Sequence, residues 1–282
     1  MQQTLPSVPL SPSAVVGSGL RLGASAFSKL FLATTILALV EFFPNMVMAT
    51  QFGNEAITPQ QRLHVQFGGL QLSLQIGCLI FVLLAQAVTL SRLDHLATGV
   101  TADYRIEIRR GLNAFLYLFY AFLLSIIIAF VAMALAAAVG ALVGLLGALL
   151  LGKTAFVVLM VAVMVFMLLY VFLYLLFVQY SIVLDGSGPM QAINRSFNLV
   201  YGHWWHTVAV LLLSILCVLV VAIICGIALS PAVLVAGPLD TGRGLFVMSV
   251  IQMIGGALFG PFLLAVIYML YRDLKLRSQL SG

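Results

Sequence analysis

From Leu112 to Gly152 the chain runs 41 residues without one Asp, Glu, Lys or Arg. About 20 consecutive apolar residues already cross the hydrocarbon core of a bilayer, so a run of this length points to a membrane rather than to a water-soluble domain. It is not isolated. Further apolar runs cover Leu30 to Thr50, Gly69 to Leu90, Thr154 to Leu184, Thr207 to Leu229 and Leu245 to Tyr271, and the long run itself supplies a span over Leu112 to Ala138. Only 7% of residues are charged and 63% are hydrophobic, whereas soluble domains carry about 25% charged residues. That balance excludes a soluble enzyme, a nucleic-acid binder and a secreted disulfide scaffold. Membrane strands alternate apolar and polar residues, which these uninterrupted runs do not, so a barrel is excluded as well. The expected fold is all-α: a polytopic membrane protein of six transmembrane helices, arranged as three tandem hairpins with short amphipathic cytoplasmic elbow helices. It divides into a cytoplasmic N-terminal segment (1–29), one transmembrane domain (30–271) and a cytoplasmic tail (272–282).

Cations set the orientation, because cytoplasmic loops carry an excess of Lys and Arg. With the N-terminus inside, Arg21, Lys29, Arg92, Arg105, Arg109, Arg110, Arg195, Arg272, Lys275 and Arg277 are cytoplasmic, and only Arg62, Lys153 and Arg243 lie outside. Splitting the long charge-free run into two short spans would make seven helices and reduce ten against three to eight against five. Six spans, with both termini cytoplasmic, is the reading the charges favour. The net charge of +5 then reports loop orientation and attraction to anionic headgroups, not nucleic acid. Cys78, Cys217 and Cys225 sit inside apolar runs, without metal-ligand spacing, and read as packing residues.

Three spans are preceded by similar junctions, around Gly23, Gly111 and Gly202, which motivates the hairpin arrangement. The last junction is the most legible. Pro189 stands at the first turn of a short helix in which Met190, Ile193, Phe197 and Val200 recur at helical spacing, while Gln191, Asn194, Arg195 and Asn198 form the other face. Trp204 and Trp205 follow, residues that settle among lipid headgroups. The expectation is an interfacial elbow, serving either as an anchor for the next span or as a contact for headgroups or partners.

These residues also carry a family resemblance. Pro189-Met190-Gln191-Ala192-Ile193-Asn194-Arg195-Ser196-Phe197-Asn198-Leu199, followed by Gly202 and Trp204, resembles the Ala-x-x-Arg-Ser-x-x-Leu-x-x-Gly junction of bacterial YciC-like inner-membrane proteins. It is also similar to the membrane domain fused to some glycerophosphodiester phosphodiesterases. The resemblance implies an integral inner-membrane protein without an established catalytic site. The phosphodiesterase domain is not among the matching residues, so its activity is not carried over.

Three intramembrane features remain. Glu41 lies in the first span near Pro44 and Asn45, and a carboxylate at mid-bilayer costs about 2.5 to 3.5 kcal/mol unless it is neutral, hydrogen-bonded or wet. Gln71 and Gln75, at i and i+4 of the second span, are its expected partners, with Gln252 of the sixth. Pro44 and Pro261 break the first and sixth spans and free backbone carbonyls, either for ligands or simply for neighbouring helices to satisfy. Ala132, Ala136, Gly140, Gly144, Ala148 and Gly152 repeat every four residues as a small-residue groove, open to the fourth helix or to a second copy.

No Walker loop, His-Glu-x-x-His or paired intramembrane aspartates occur, and Gly17-Ser18-Gly19 reads as loop punctuation. No cofactor or metal site is expected, and no enzymatic activity. The leading reading is an inner-membrane protein that supports envelope or bilayer organisation through lipid headgroups, membrane-protein partners or its own oligomer. The alternative is a small-solute or lipid transporter or channel built on Glu41 and the two broken helices.

Overall fold

The computed structural model describes residues 8–52, 69–100, 104–236 and 241–280. Arg62, assigned above to an outer loop, lies outside the described residues. In chain order the helices are α1 (Pro12–Phe52), α2 (Gly69–Thr98), α3 (Tyr104–Leu151), α4 (Lys153–Leu175), α5 (Val178–Asp185), α6 (Pro189–Val200), α7 (Trp204–Ala236) and α8 (Gly242–Leu280). No strand occurs among the described residues. Six helical segments are long and apolar enough to cross a membrane, the fourth running through α4 and α5. The chain is thus an all-α, multi-pass membrane protein. Phe130 and Leu149 are each 76% exposed, a surface that suits lipid and not water.

The chain divides into two compact units, Met1–Phe115 with Ala209–Gly282, and Leu116–Val208. In the first unit, α1 begins at Pro12, well ahead of the apolar run that starts at Leu30. Ser11 caps it, its hydroxyl accepting from the Ala14 amide at 3.4 Å, and Pro12 occupies the first helical position, where its missing N–H costs nothing. The added turns are held by packing: Val15, Val16, Leu22, Ala26 and Leu30 are buried. At 1.5 Å per residue the 41-residue helix is about 60 Å long, roughly twice the bilayer core.

Within this unit α1 packs along α8. A Cβ added at Gly19 would stand 2.5 Å from the Cα of Val266, and one at Gly23 would stand 3.0 Å from the Cα of Phe262. Backbone meets backbone there, which only glycine permits. Gly17-Ser18-Gly19 is therefore helix and packing surface, not loop. At the other end of the same contact the Thr34 hydroxyl lies 3.3 Å from the Ala257 carbonyl, the group that Pro261 leaves without its usual amide. Across the α1/α2 pair, Gln71 Nε2 donates to the Pro44 carbonyl at 3.0 Å. The carbonyl freed by Pro261 is thus served by a neighbouring helix, whereas at the first break Gln71 engages the carbonyl of Pro44 itself and not that of Val40, the one the proline frees.

Within the second unit, α3 extends without interruption to Leu151, and Gly152, at φ 95°, turns the chain into α4. The long run is one helix, not two short spans. The start of α1 also meets the end of α8, where the Leu10 amide is hydrogen-bonded to Asp273. The small-residue groove receives α4, because a Cβ at Gly140 would be 3.3 Å from Met160 and one at Gly144 2.9 Å from Phe156. Ala136 is buried with them, and Ala132 and Ala148 are half-buried at the margins.

Candidate functional site

The charged side chains of the first unit collect at one end, where α1, the C-terminal turn of α2, the start of α3 and the C-terminal part of α8 meet. Asp94 on α2 accepts from Arg272 Nη2 at 2.9 Å and from the Tyr268 hydroxyl at 2.8 Å. Arg272 Nε donates in turn to the Tyr268 oxygen at 3.0 Å, and Arg110 Nη1 approaches the second Asp94 oxygen at 4.0 Å. One turn away, Glu107 is only 2% exposed and lies between Arg92, at 3.1 Å, and His95 Nδ1, at 3.5 Å. Arg92 also donates through Nε to the Lys29 carbonyl at 2.9 Å, which ties the start of α3 through α2 to α1. A buried carboxylate is stable only when paired and hydrogen-bonded, and removing one partner of such a pair costs about 3 to 5 kcal/mol.

A third set closes the termini. Asp273, fully buried, accepts from the Leu10 amide at 2.7 Å and from Arg277 Nε at 2.7 Å, and Arg277 also donates to the Leu10 carbonyl. Of the segment assigned as the tail, residues 272–280 continue α8, with Asp273 and Leu274 buried. Sequence reasoning placed these acids at helix ends and stopped there. The available signal was the mixture of signs, Arg92-Leu93-Asp94-His95, Arg105 to Arg110 around Glu107, and Arg272-Asp273, at three helix ends assigned to one side of the membrane.

Cations that have no carboxylate partner among the described residues rim this end. Arg21 and Lys29 on α1 and Arg105 and Arg109 on α3 are exposed, and Ile106, Ile108 and Leu112 beside them are 59%, 46% and 54% exposed. Alternating guanidinium groups and bare isoleucines suit neither water nor hydrocarbon. They suit the boundary between them.

The elbow of the second unit forms where the sequence places it. Gly188 precedes a helix with Pro189 at its first position, ending at Val200, and Gly202, at φ 80°, makes the turn into α7 that a side chain would strain. Its inward face differs from the expected stripe. Ala192, Ile193, Ser196, Leu199 and Val200 are buried, whereas Met190 is 66% exposed, and the helix packs on α4 and α5. The cause is a break in the fourth span between α4 and α5. There the Ser196 hydroxyl accepts from the Phe177 amide at 3.2 Å and donates to the Tyr174 carbonyl. Phe197 stacks on Tyr174, centroids 4.7 Å apart, and so faces protein and not bilayer. Arg195 Nη1 reaches Asp185 at 3.2 Å. Trp204 packs between Phe166 and Trp205, while Trp205, 78% exposed, and Tyr201, 76% exposed, present aromatic surface outward.

Sequence and structure part at the intramembrane polar residues. Gln71 is buried, Gln75 half-buried, and Glu41 and Gln252 exposed, so the four do not form one buried cluster. Gln71 does meet the first span, but at the Pro44 carbonyl and not at Glu41. Among the described residues the Glu41 carboxylate has no hydrogen-bond partner. Its backbone carbonyl accepts from Nδ2 of the Asn45 side chain at 3.2 Å. No group of three or more metal-ligating side chains occurs among the described residues.

Residues 15–274 match the family described as domain of unknown function DUF7847. The chain belongs to this family. No curated protein and no solved structure matches it. The DUF7847 match takes in the Asp94 and Glu107 pairs, the elbow and Asp273, so the charged end and the broken fourth span both lie within the region that defines the family.

Proposed function

We propose that this DUF7847 protein is a non-enzymatic scaffold of the bacterial inner membrane, with both termini cytoplasmic, that gathers anionic lipid headgroups at its basic end and so supports bilayer organisation. The observation that carries the reading is the division of labour among charges. Asp94, Glu107 and Asp273 are drawn inward as struts between helices, while Arg21, Lys29, Arg105 and Arg109 stay exposed beside bare apolar side chains. Each such cation is worth about 1 kcal/mol at an anionic surface. The resemblance of the elbow to YciC-like proteins supports the same placement. The test is lipid analysis of protein purified from native membrane in mild detergent. Acidic phospholipid should be enriched over the bulk membrane, and changing Arg21, Lys29, Arg105 and Arg109 together to Gln should abolish the enrichment. A co-purifying lipid composition equal to that of the bulk membrane sinks the reading.

A second reading, a solute pathway, is favoured by one observation: Glu41 is exposed rather than engaged by Gln71. Gln252 is exposed too, on α8 between Phe246, which meets Phe42, and Gly256, which meets Ala38. Glu41→Gln separates the two. A folded Glu41→Gln protein that has lost its cellular function supports a proton or solute relay. One with unchanged function supports the scaffold.

A further inference from the structure

Outside the charged end, the first unit has a groove of 380 Å³ between α1 and α2. Ile36, Val40 and Phe43 form one wall, and Gly77, Cys78 and Phe81 form the other. Its floor is bare because a Cβ at Gly77 would meet nothing within 4 Å. Lys29, Ile36 and Phe43 stand at i, i+7 and i+14, so one stripe of α1 carries the groove wall and, about 10 Å further along the helix, a lysine.

That lysine has a particular setting. Its carbonyl is fixed by Arg92 Nε, and the Arg92 guanidinium is in turn paired with Glu107, so that pair brings no net charge. Lys29 itself is exposed, and its ammonium has no ion-pair partner among the described residues. About 10 Å beyond the groove wall along α1 the surface therefore carries a surplus positive charge, while the groove itself is lined by apolar residues. We propose that this groove seats an anionic glycerophospholipid, with an acyl chain along α1 and α2 over Gly77 and the phosphate on the Lys29 ammonium. Charge and shape favour this occupant. A free phosphate has nothing to place in the groove, and a zwitterionic lipid, whose phosphate is offset by its own cation, gains less from the surplus charge of Lys29. The proposal rests on the headgroup reading above and narrows it from a diffuse basic rim to one site.

The test is native mass spectrometry of the full chain in mild detergent, titrated with phosphatidylglycerol or phosphatidylcholine. One phosphatidylglycerol should bind ahead of the rest. Lys29→Gln should weaken that first event by about fivefold, the effect of one lysine at an anionic surface, and Lys29→Arg should keep it. Gly77→Leu fills the groove from a position where the new side chain has room. It should abolish the first event while leaving the melting temperature unchanged. Neutralising Arg105 and Arg109 should spare the first lipid and remove weaker ones. If Lys29→Gln and Gly77→Leu both leave the first event intact, or if Arg105 and Arg109 account for it equally, the site is not there. Bulk enrichment of acidic lipid that persists in those variants would leave the scaffold reading standing without it, whereas loss of enrichment in the wild type removes both.

Discussion

The charged end of the first unit and the elbow of the second both hold polar groups in a largely apolar chain, yet they are built at different ranges. Asp94 pairs with Arg272, 178 positions away, and Leu10 with Asp273, 263 positions away. At the elbow Ser196 bonds to Tyr174, 22 positions back, and Arg195 to the nearby Asp185. The first arrangement joins helices otherwise held by apolar packing and isolated hydrogen bonds such as Thr34 to Ala257, and a membrane supplies little hydrophobic force between helices. The second repairs one local break in one span. Long-range pairs should therefore govern global stability, and the elbow should govern local order.

The largest effect should come from Asp273→Ala, which strands Arg277 and the Leu10 amide and unties the start of α1 from α8. A loss of about 3 to 5 kcal/mol, read as a lowered melting temperature in detergent, is expected, and a change under about 1 kcal/mol would show that the end is solvated rather than a strut. Gly19→Leu comes next, because it forces α1 and α8 apart. About 1 to 3 kcal/mol should be lost, accompanied by weaker distance restraints between spin labels on the two helices. Ser196→Ala removes an acceptor for Phe177 and a donor for Tyr174. It should cost about 1 to 3 kcal/mol, and its signature is faster hydrogen exchange at Phe177 with the charged end unchanged. Were exchange to rise equally in both units, the contrast between global and local roles would fail. Arg195→Ala should be mildest, under about 1 kcal/mol, since its side chain is 41% exposed and water already screens the pair.

The elbow shows how far local signals reach. Pro189, the helical spacing up to Val200 and the turn at Gly202 were legible, because capping and periodicity act within a few residues. The rotation of its buried face was not. A hydrophobicity pattern marks Phe197 as inward and Ser196 as neutral, and only the break at Phe177 makes a buried serine favourable. Glu41 teaches the same thing from the other side. Its depth in α1 follows from counting residues, but the direction of its side chain and the choice of Pro44 by Gln71 depend on how α2 sits against the kink.

By itself the sequence determined the six apolar helices, the elbow and the basic character of the charged end, because transfer into lipid is summed residue by residue along a segment. The tertiary structure alone decided which carboxylates become struts, that α1 packs along α8, and that Lys29 stays exposed while Arg92 is neutralised. Those outcomes depend on which helix ends and faces meet, and the pairing energies that select them exist only once residues on different helices are brought within a few ångströms.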